Sequence, residues 1–172
     1  MMKVLLVIDM LKDFIDENGA LYCGPEAREI VPFIKSKIHK YHSKGGKVIF
    51  TCDAHTKDDP EFKMFPPHCI KGTKGAEIID ELPRIESDII IFTRRYSAFF
   101  NTNLEKILKD IKPEKVEVVG VCTSICVMDT VGGLCNREIP VTVYRDGVAD
   151  FDKGMHEFAL KRMKRIYNAE IV

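Results

Sequence analysis

The sequence predicts a three-layer α/β fold, in which helices cover both faces of a mostly parallel β-sheet. Strand-like and helix-like segments alternate along the chain in the order βαββαβαβαβ. Several strand-like segments are short, nearly continuous apolar runs, which is typical of strands buried on both faces of a parallel sheet. The 172 residues are enough for one sizeable core, so we expect a single domain over residues 1–172.

Each predicted strand is an apolar run with a charged residue or a turn signal at its end. The first is apolar from Val4 onward and ends at Asp9. The fourth is rich in β-branched residues and leads directly into the segment that carries Cys126. The six predicted strands are Lys3–Ile8, Lys47–Cys52, Asp88–Phe92, Val116–Val121, Val141–Tyr144 and Glu170–Val172.

The predicted helices rest on apolar spacing and on start and stop signals. In the first helix, apolar side chains from Ile30 to Tyr41 fall on one side. Thr123 or Ser124 is expected to cap the third helix, because a side-chain oxygen there accepts from the free N–H groups of the first turn. The four predicted helices are Glu26–Lys44, Leu104–Ile111, a helix from residue 123 or 124 to about Arg137, and Gly154–Tyr167.

The composition argues against several classes of function. The 26 Lys and Arg residues balance the 26 Asp and Glu residues, so neither a nucleic acid nor a membrane surface is expected as a partner. The sequence has no apolar run long enough to span a bilayer and no recognisable secretion signal. We therefore expect the six cysteines to be free thiols and the protein to be cytoplasmic.

Cys126 is predicted to lie in the first turn of a helix that follows directly from a strand. The free N–H groups and the positive end of the helix dipole there favour a thiolate, which is the nucleophilic form. The alternative is that Cys126 is a small buried hydrophobe, the usual role of a free cysteine. Asp9 is the candidate base, provided that its strand neighbours the strand before Cys126.

Asp53, His55 and His68 form a candidate metal site. Residues two apart in an extended segment face the same way, so Asp53 and His55 present a carboxylate and an imidazole to one point. His68 follows two prolines in the long irregular segment 53–75 and is the candidate third ligand. Two nitrogens and one oxygen suit zinc, iron or manganese, whereas solvent-exposed loop histidines are the alternative.

Five short motifs stand in order over nearly the whole chain. They are Asp9-x-x-x-Asp13-Phe14, Asp53-Ala54-His55, Phe65 to Thr73 (FPPHCIKGT), Arg95 to Phe99 (RYSAF) and Gly120 to Val127 (GVCTSICV). Together they resemble the isochorismatase-like cysteine hydrolases, and most closely the nicotinamidase (pyrazinamidase) branch of that superfamily. Five motifs in register are far more specific than any one of them alone.

The resemblance implies a six-stranded Rossmann-like α/β sandwich and a cysteine amidohydrolase. Cys126 would attack the carboxamide of nicotinamide, or of a similar small aromatic amide, and form a thioester. Asp9 would be the general base and acid. The backbone N–H groups of Cys122 and Cys126 would form the oxyanion hole, and the Val121–Cys122 peptide would be cis.

The resemblance also implies how the substrate would be held. Asp53, His55 and His68 would bind one divalent metal, zinc before iron or manganese, which in the family binds the pyridine nitrogen. Phe14 and Phe65 match positions where aromatic side chains pack against that ring, although both also suit an ordinary core. Family members often form dimers or tetramers, so a homo-oligomer is expected.

One position departs from the family pattern. The catalytic lysine of the family lies three residues before the tyrosine of the Tyr-Ser-Ala-Phe motif, and Thr93 occupies that position here. Without this cation the pKa of Cys126 is expected to rise and acylation to slow, unless Arg94 compensates. Two alternatives therefore stay open, a hydrolase of a different amide or ureido substrate and a catalytically weakened binding homologue.

Overall fold

The computed structural model of the protein describes residues 2–172, which form a six-stranded parallel β-sheet with helices on both faces. The strands are β1 (Val4–Ile8), β2 (Lys47–Asp53), β3 (Ile89–Thr93), β4 (Val116–Val121), β5 (Val141–Ala149) and β6 (Glu170–Ile171). The helices are α1 (Lys12–Ile15), α2 (Pro25–Glu29), α3 (Val31–Ser43), α4 (Leu104–Ile111), α5 (Met128–Cys135) and α6 (Lys153–Ile166). The predicted α/β fold class is confirmed.

The strand order in the sheet is β3-β2-β1-β4-β5-β6. The chain leaves β1 toward β2 on one side, and β4 pairs with β1 on the other, so the order reverses between these two central strands. Ligands of open α/β sheets bind beyond the carboxyl ends of the strands at such a point. Asp9 and the segment after Val121 follow β1 and β4 at this edge of the sheet.

Separate apolar cores cover the two faces of the sheet, which explains the continuous apolar run of β1. Leu5 and Val7 belong to the core that contains α3, whereas Leu6 and Ile8 belong to the core that contains α4, α5 and α6. All four side chains are at most 1% exposed. None of the helices within residues 2–172 combines the length and the apolar character needed to cross a bilayer.

Gly120 allows β4 to pass close to the end of β1. Its φ is +123°, and a Cβ atom at this position would overlap the carbonyl oxygen of Ile8. Only glycine suits this combination of a positive φ and a close backbone approach.

Two predicted helices differ from the observed ones. The expected helix 26–44 is divided at Ile30, because Pro32 has no N–H group to donate within a continuous helix and fits only the first turn of a new one. The expected helix after β4 begins as a π-helical turn, Thr123–Val127, and α5 ends at Cys135. The short helix α1 was not predicted, because four residues are too few to show a helical period.

The capping prediction for the segment after β4 is wrong. Neither Thr123 nor Ser124 provides a side-chain cap. Instead, the Asp150 carboxylate accepts a hydrogen bond of 2.8 Å from the N–H group of Ser124. Asp150 reaches this position because β5 continues to Ala149, five residues beyond its predicted end at Tyr144.

Candidate active site

Asp9 and Cys126 meet at the switch point of the sheet. Asp9 follows β1 in a left-handed backbone conformation (φ 50°), and its side chain is buried. Its carboxylate accepts a hydrogen bond of 3.0 Å from the N–H group of Asp53, and its negative charge acts on the Cys126 thiol. The structure therefore brings together the candidate acid, the candidate nucleophile and the first candidate metal ligand.

The electrostatic setting of Cys126 differs from the one that its helix position predicts. Burial raises the pKa of the Cys126 thiol well above its ordinary value, and the nearby carboxylates of Asp9 and Asp53 raise it further. Burial also raises the pKa of Asp9, with a contribution from Asp53. Burial and negative charge thus outweigh the helix N-terminus, so the thiol rather than the thiolate is favoured.

The turn Thr123–Val127, here called the Cys126 turn, is held from outside by two polar side chains. Asp150 accepts from the Ser124 N–H group, and it also accepts a hydrogen bond of 3.1 Å from the N–H group of Asp152. The imidazole Nδ1 of His156 lies 2.9 Å from the Thr123 hydroxyl. The Val121–Cys122 peptide before the turn is cis.

Four buried side chains form a candidate metal centre beside this pair. The Oδ2 atom of Asp53 lies 2.7 Å from Nε2 of His55 and 3.4 Å from Nε2 of His68. Glu61 joins them, and one potential ligand atom from each of the four lies within 4.8 Å of the others. Two imidazoles and two carboxylates suit a divalent transition metal such as zinc.

The chemistry of the donor set fits a cation. Within residues 2–172, the Oε2 atom of Glu61 is buried and accepts no hydrogen bond. Its other oxygen, Oε1, is the one nearer the imidazoles, 3.9 Å from Nε2 of His55 and 4.0 Å from Nε2 of His68. Carboxylates buried this close together without full hydrogen bonding are costly, and coordination of a cation would offset that cost. Glu61 was not among the residues predicted from the sequence, because it lies in the irregular segment after β2 in a short 3₁₀ turn, Pro60–Lys63.

A cavity connects the Cys126 thiol with the candidate metal centre. The side chains of Phe14 and Phe65 line it, and their rings lie 5.4 Å and 6.2 Å from the ring of His68. The remaining lining is mostly apolar and includes residues that sequence reasoning missed. The cavity residues are Phe14, Leu21, Cys23, Asp53, Glu61, Phe65, His68, Tyr96, Val121, Cys122, Ile125, Cys126 and Phe151.

The lining of this cavity contains no lysine or arginine from the described part of the chain. Thr93 is buried at the end of β3, and its hydroxyl donates to the carbonyl of Arg95 at 3.3 Å. The side chain of Arg94 is 48% exposed, with its guanidinium 3.9 Å from Asp59. The Arg95 guanidinium comes within 3.9 Å of Glu61 from outside the cavity. The geometry therefore gives Arg94 no contact through which it replaces the missing lysine.

Comparison with known proteins relates this arrangement to enzymes. The family profile described as Isochorismatase domain matches residues 3–171. The crystal structure of the nicotinamidase/pyrazinamidase PncA from Bacillus subtilis is similar over 100% of both chains, with 35% identity and a TM-score of 0.94. The structure of the Pyrococcus horikoshii pyrazinamidase in complex with zinc is similar over 100% of this chain and 99% of that chain, with 32% identity and a TM-score of 0.92. A probable inactive nicotinamidase from Arabidopsis thaliana is 34% identical over 94% of this chain and 88% of its own length.

Proposed function

This chain belongs to the isochorismatase family, and from that premise we propose that it hydrolyses nicotinamide, or a similar small aromatic carboxamide, to the acid and ammonia. One observation carries the proposal. The Cys126 thiol, which feels the charge of Asp9, lines a cavity together with aromatic side chains and with three of the four candidate metal ligands, Asp53, Glu61 and His68. Nucleophile, acid–base group and ring-binding surfaces are thus within reach of one small planar substrate.

In the first half of the reaction, Asp9 takes the proton of the Cys126 thiol as the sulfur attacks the carboxamide carbon. The raised pKa of Asp9 suits a carboxyl group that must hold a proton between steps. The tetrahedral intermediate collapses, the C–N bond breaks and the proton on Asp9 passes to the leaving nitrogen, which gives ammonia and a thioester. The N–H groups of Cys122 and Cys126 would bind the oxyanion.

In the second half, Asp9 accepts a proton from water as the oxygen attacks the thioester carbon. The C–S bond then breaks, the proton returns to sulfur, and the carboxylic acid leaves. Asp53, His55, Glu61 and His68 would hold a divalent cation, zinc before iron or manganese, which when bound supplies a Lewis acid that orients the ring nitrogen. Phe14 and Phe65 would pack against the ring.

The proposal is tested by ammonia release from nicotinamide, with benzamide and ureido compounds as a comparison panel. Cys126→Ala is expected to lower kcat by at least about 1,000-fold, because no other group replaces the nucleophile. Cys135→Ala is the matched control, since Cys135 is also a partly buried free thiol but lies at the end of α5. Unimpaired ammonia release by Cys126→Ala would contradict the assignment of the nucleophile.

A second candidate is a catalytically weakened homologue that retains the pocket. Two observations favour it, namely the uncharged Thr93 at the position of the family lysine and the resemblance to a relative named as probably inactive. The Thr93→Lys variant separates the candidates. A large gain in ammonia release would favour the weakened homologue, whereas an unchanged or lower rate would indicate that the natural site uses threonine productively.

A further inference from the structure

Asp59 lies directly behind the candidate metal centre, and its side chain is completely buried. One carboxylate oxygen, Oδ2, lies 3.2 Å from Nδ1 of His55, the ring nitrogen that faces away from the other ligands, and this buried nitrogen forms no aligned hydrogen bond with any of residues 2–172. The other oxygen, Oδ1, accepts a hydrogen bond of 3.0 Å from the backbone N–H group of Glu61. The carboxylate thus contacts two members of the four-residue cluster without lining the cavity.

We infer that Asp59 is a positioning residue for the metal centre, which orients the ring of His55 and fixes the backbone of Glu61. The inference deepens the proposed function, since it rests on a metal being held by these residues. A neutral imidazole that binds a cation through Nε2 carries its proton on Nδ1. In the metal-bound protein the neighbouring Asp59 carboxylate would accept this proton, which would fix both the tautomer and the orientation of the ring.

Arg95 supplies the charge that Asp59 needs in a buried setting. The Nη1 atom of Arg95 donates to both oxygens of Asp59, at 3.0 Å and 3.1 Å. An unpaired buried carboxylate would be costly. The Arg95 guanidinium therefore stabilises the negative charge of Asp59, which lies close to the two acidic candidate ligands, Asp53 and Glu61. Arg95 follows β3, and this ion pair therefore ties the loop that carries His55 and Glu61 to the sheet.

The inference is tested with the Asp59→Asn variant, which keeps the size of the side chain and removes its charge. The dissociation constant of zinc is measured by competition with a chromophoric chelator, without any substrate. We expect zinc affinity to fall by about 10- to 100-fold, the usual effect of removing a carboxylate behind a metal-binding histidine.

Asp88→Asn is the matched control. The Asp88 carboxylate is also buried, lies 2.8 Å from a ring nitrogen of His42 and accepts a hydrogen bond of 2.9 Å from the N–H group of Ile85, but it is remote from the cluster. The Asp88→Asn protein should lose about as much folding stability as the Asp59→Asn protein, and it should keep the zinc affinity of the wild-type protein. Equal zinc affinity in Asp59→Asn and the wild-type protein, or an equal loss in both variants, would overturn the inference while leaving the proposed function standing.

The wild-type protein provides a second test that does not depend on the folding of a variant. In the zinc-loaded protein, ¹⁵N NMR should show His55 protonated at Nδ1 and bound through Nε2. Binding through Nδ1 would overturn the role of Asp59 alone. A wild-type protein that binds no zinc would remove both this inference and the metal-dependent part of the proposed function.

Discussion

Replacing Asp150 by alanine should both destabilise the fold and slow the reaction. The carboxylate accepts hydrogen bonds from the N–H groups of Ser124 and Asp152, and it is only 5% exposed. Hydrogen bonds to a charged group contribute about 1.5–3 kcal/mol each. We therefore expect a loss of about 3 kcal/mol in the free energy of unfolding, since water replaces part of both interactions.

For a chain of this length, that loss corresponds to a Tm lower by about 6–12 °C. The activity should fall as well, because Ser124 lies two residues before the nucleophile, and a displacement of about 1 Å there can cost about 100-fold in rate. Thermal unfolding by circular dichroism and the kcat for ammonia release measure the two effects.

Asp152→Ala provides the control, because Asp152 caps α6 by accepting from the Met155 N–H group at 2.9 Å. Loss of this cap should cost about 1 kcal/mol of stability and leave kcat unchanged. Asp150→Asn keeps one oxygen acceptor and should lie between Asp150→Ala and the wild-type protein. An Asp150→Ala protein with wild-type Tm and kcat would refute the reasoning.

Gly120→Ala should lower the free energy of unfolding by more than about 3 kcal/mol, because the added methyl group would overlap the Ile8 carbonyl at a position with positive φ. Gly72→Ala is the control, since Gly72 also has a positive φ but an added Cβ atom would have no neighbouring atom within 4 Å, and it should cost only about 1 kcal/mol. Burial lowers the pKa of His156 from its ordinary value of 6.5, so below about pH 6.5 the unfolded chain binds a proton more readily than the folded protein does. The free energy of unfolding should therefore decrease as the pH falls through this range. The His156→Gln variant should lack this part of the decrease. A strong chelator should lower both Tm and kcat, and added zinc should restore them.

Each of these predictions has a contradicting outcome. Equal urea-unfolding free energies for Gly120→Ala and Gly72→Ala would show that β1 and β4 are farther apart than described. A His156→Gln protein with the same pH dependence as the wild-type protein would assign the titration to another group. A chelated protein with unchanged Tm and kcat would argue against a resident metal.

The features that the sequence predicts well depend on local patterns. The run before Asp9 shows that β1 is buried on both faces, and the spacing of Asp53 and His55 places both side chains at one point, as the structure shows. The cis peptide before Cys122, expected from the resemblance, is present.

The features that the sequence does not reveal depend on distant residues. Asp150 caps the Cys126 turn from the end of β5, and no local pattern near residue 123 indicates that partner. The pKa of Cys126 is governed by burial and by carboxylates on other strands rather than by its own helix. Glu61 lies in an irregular segment, where no periodicity shows which way a side chain points.

Trapping of the acyl-enzyme tests the central claim most directly. The protein is mixed with nicotinamide, quenched in acid within one turnover and digested for mass spectrometry. We predict a nicotinoyl group on the peptide that contains Cys126, in an amount that rises and falls with the release of ammonia. Ammonia release by the wild-type protein with no acyl group on Cys126 at any time point would contradict covalent catalysis by this residue.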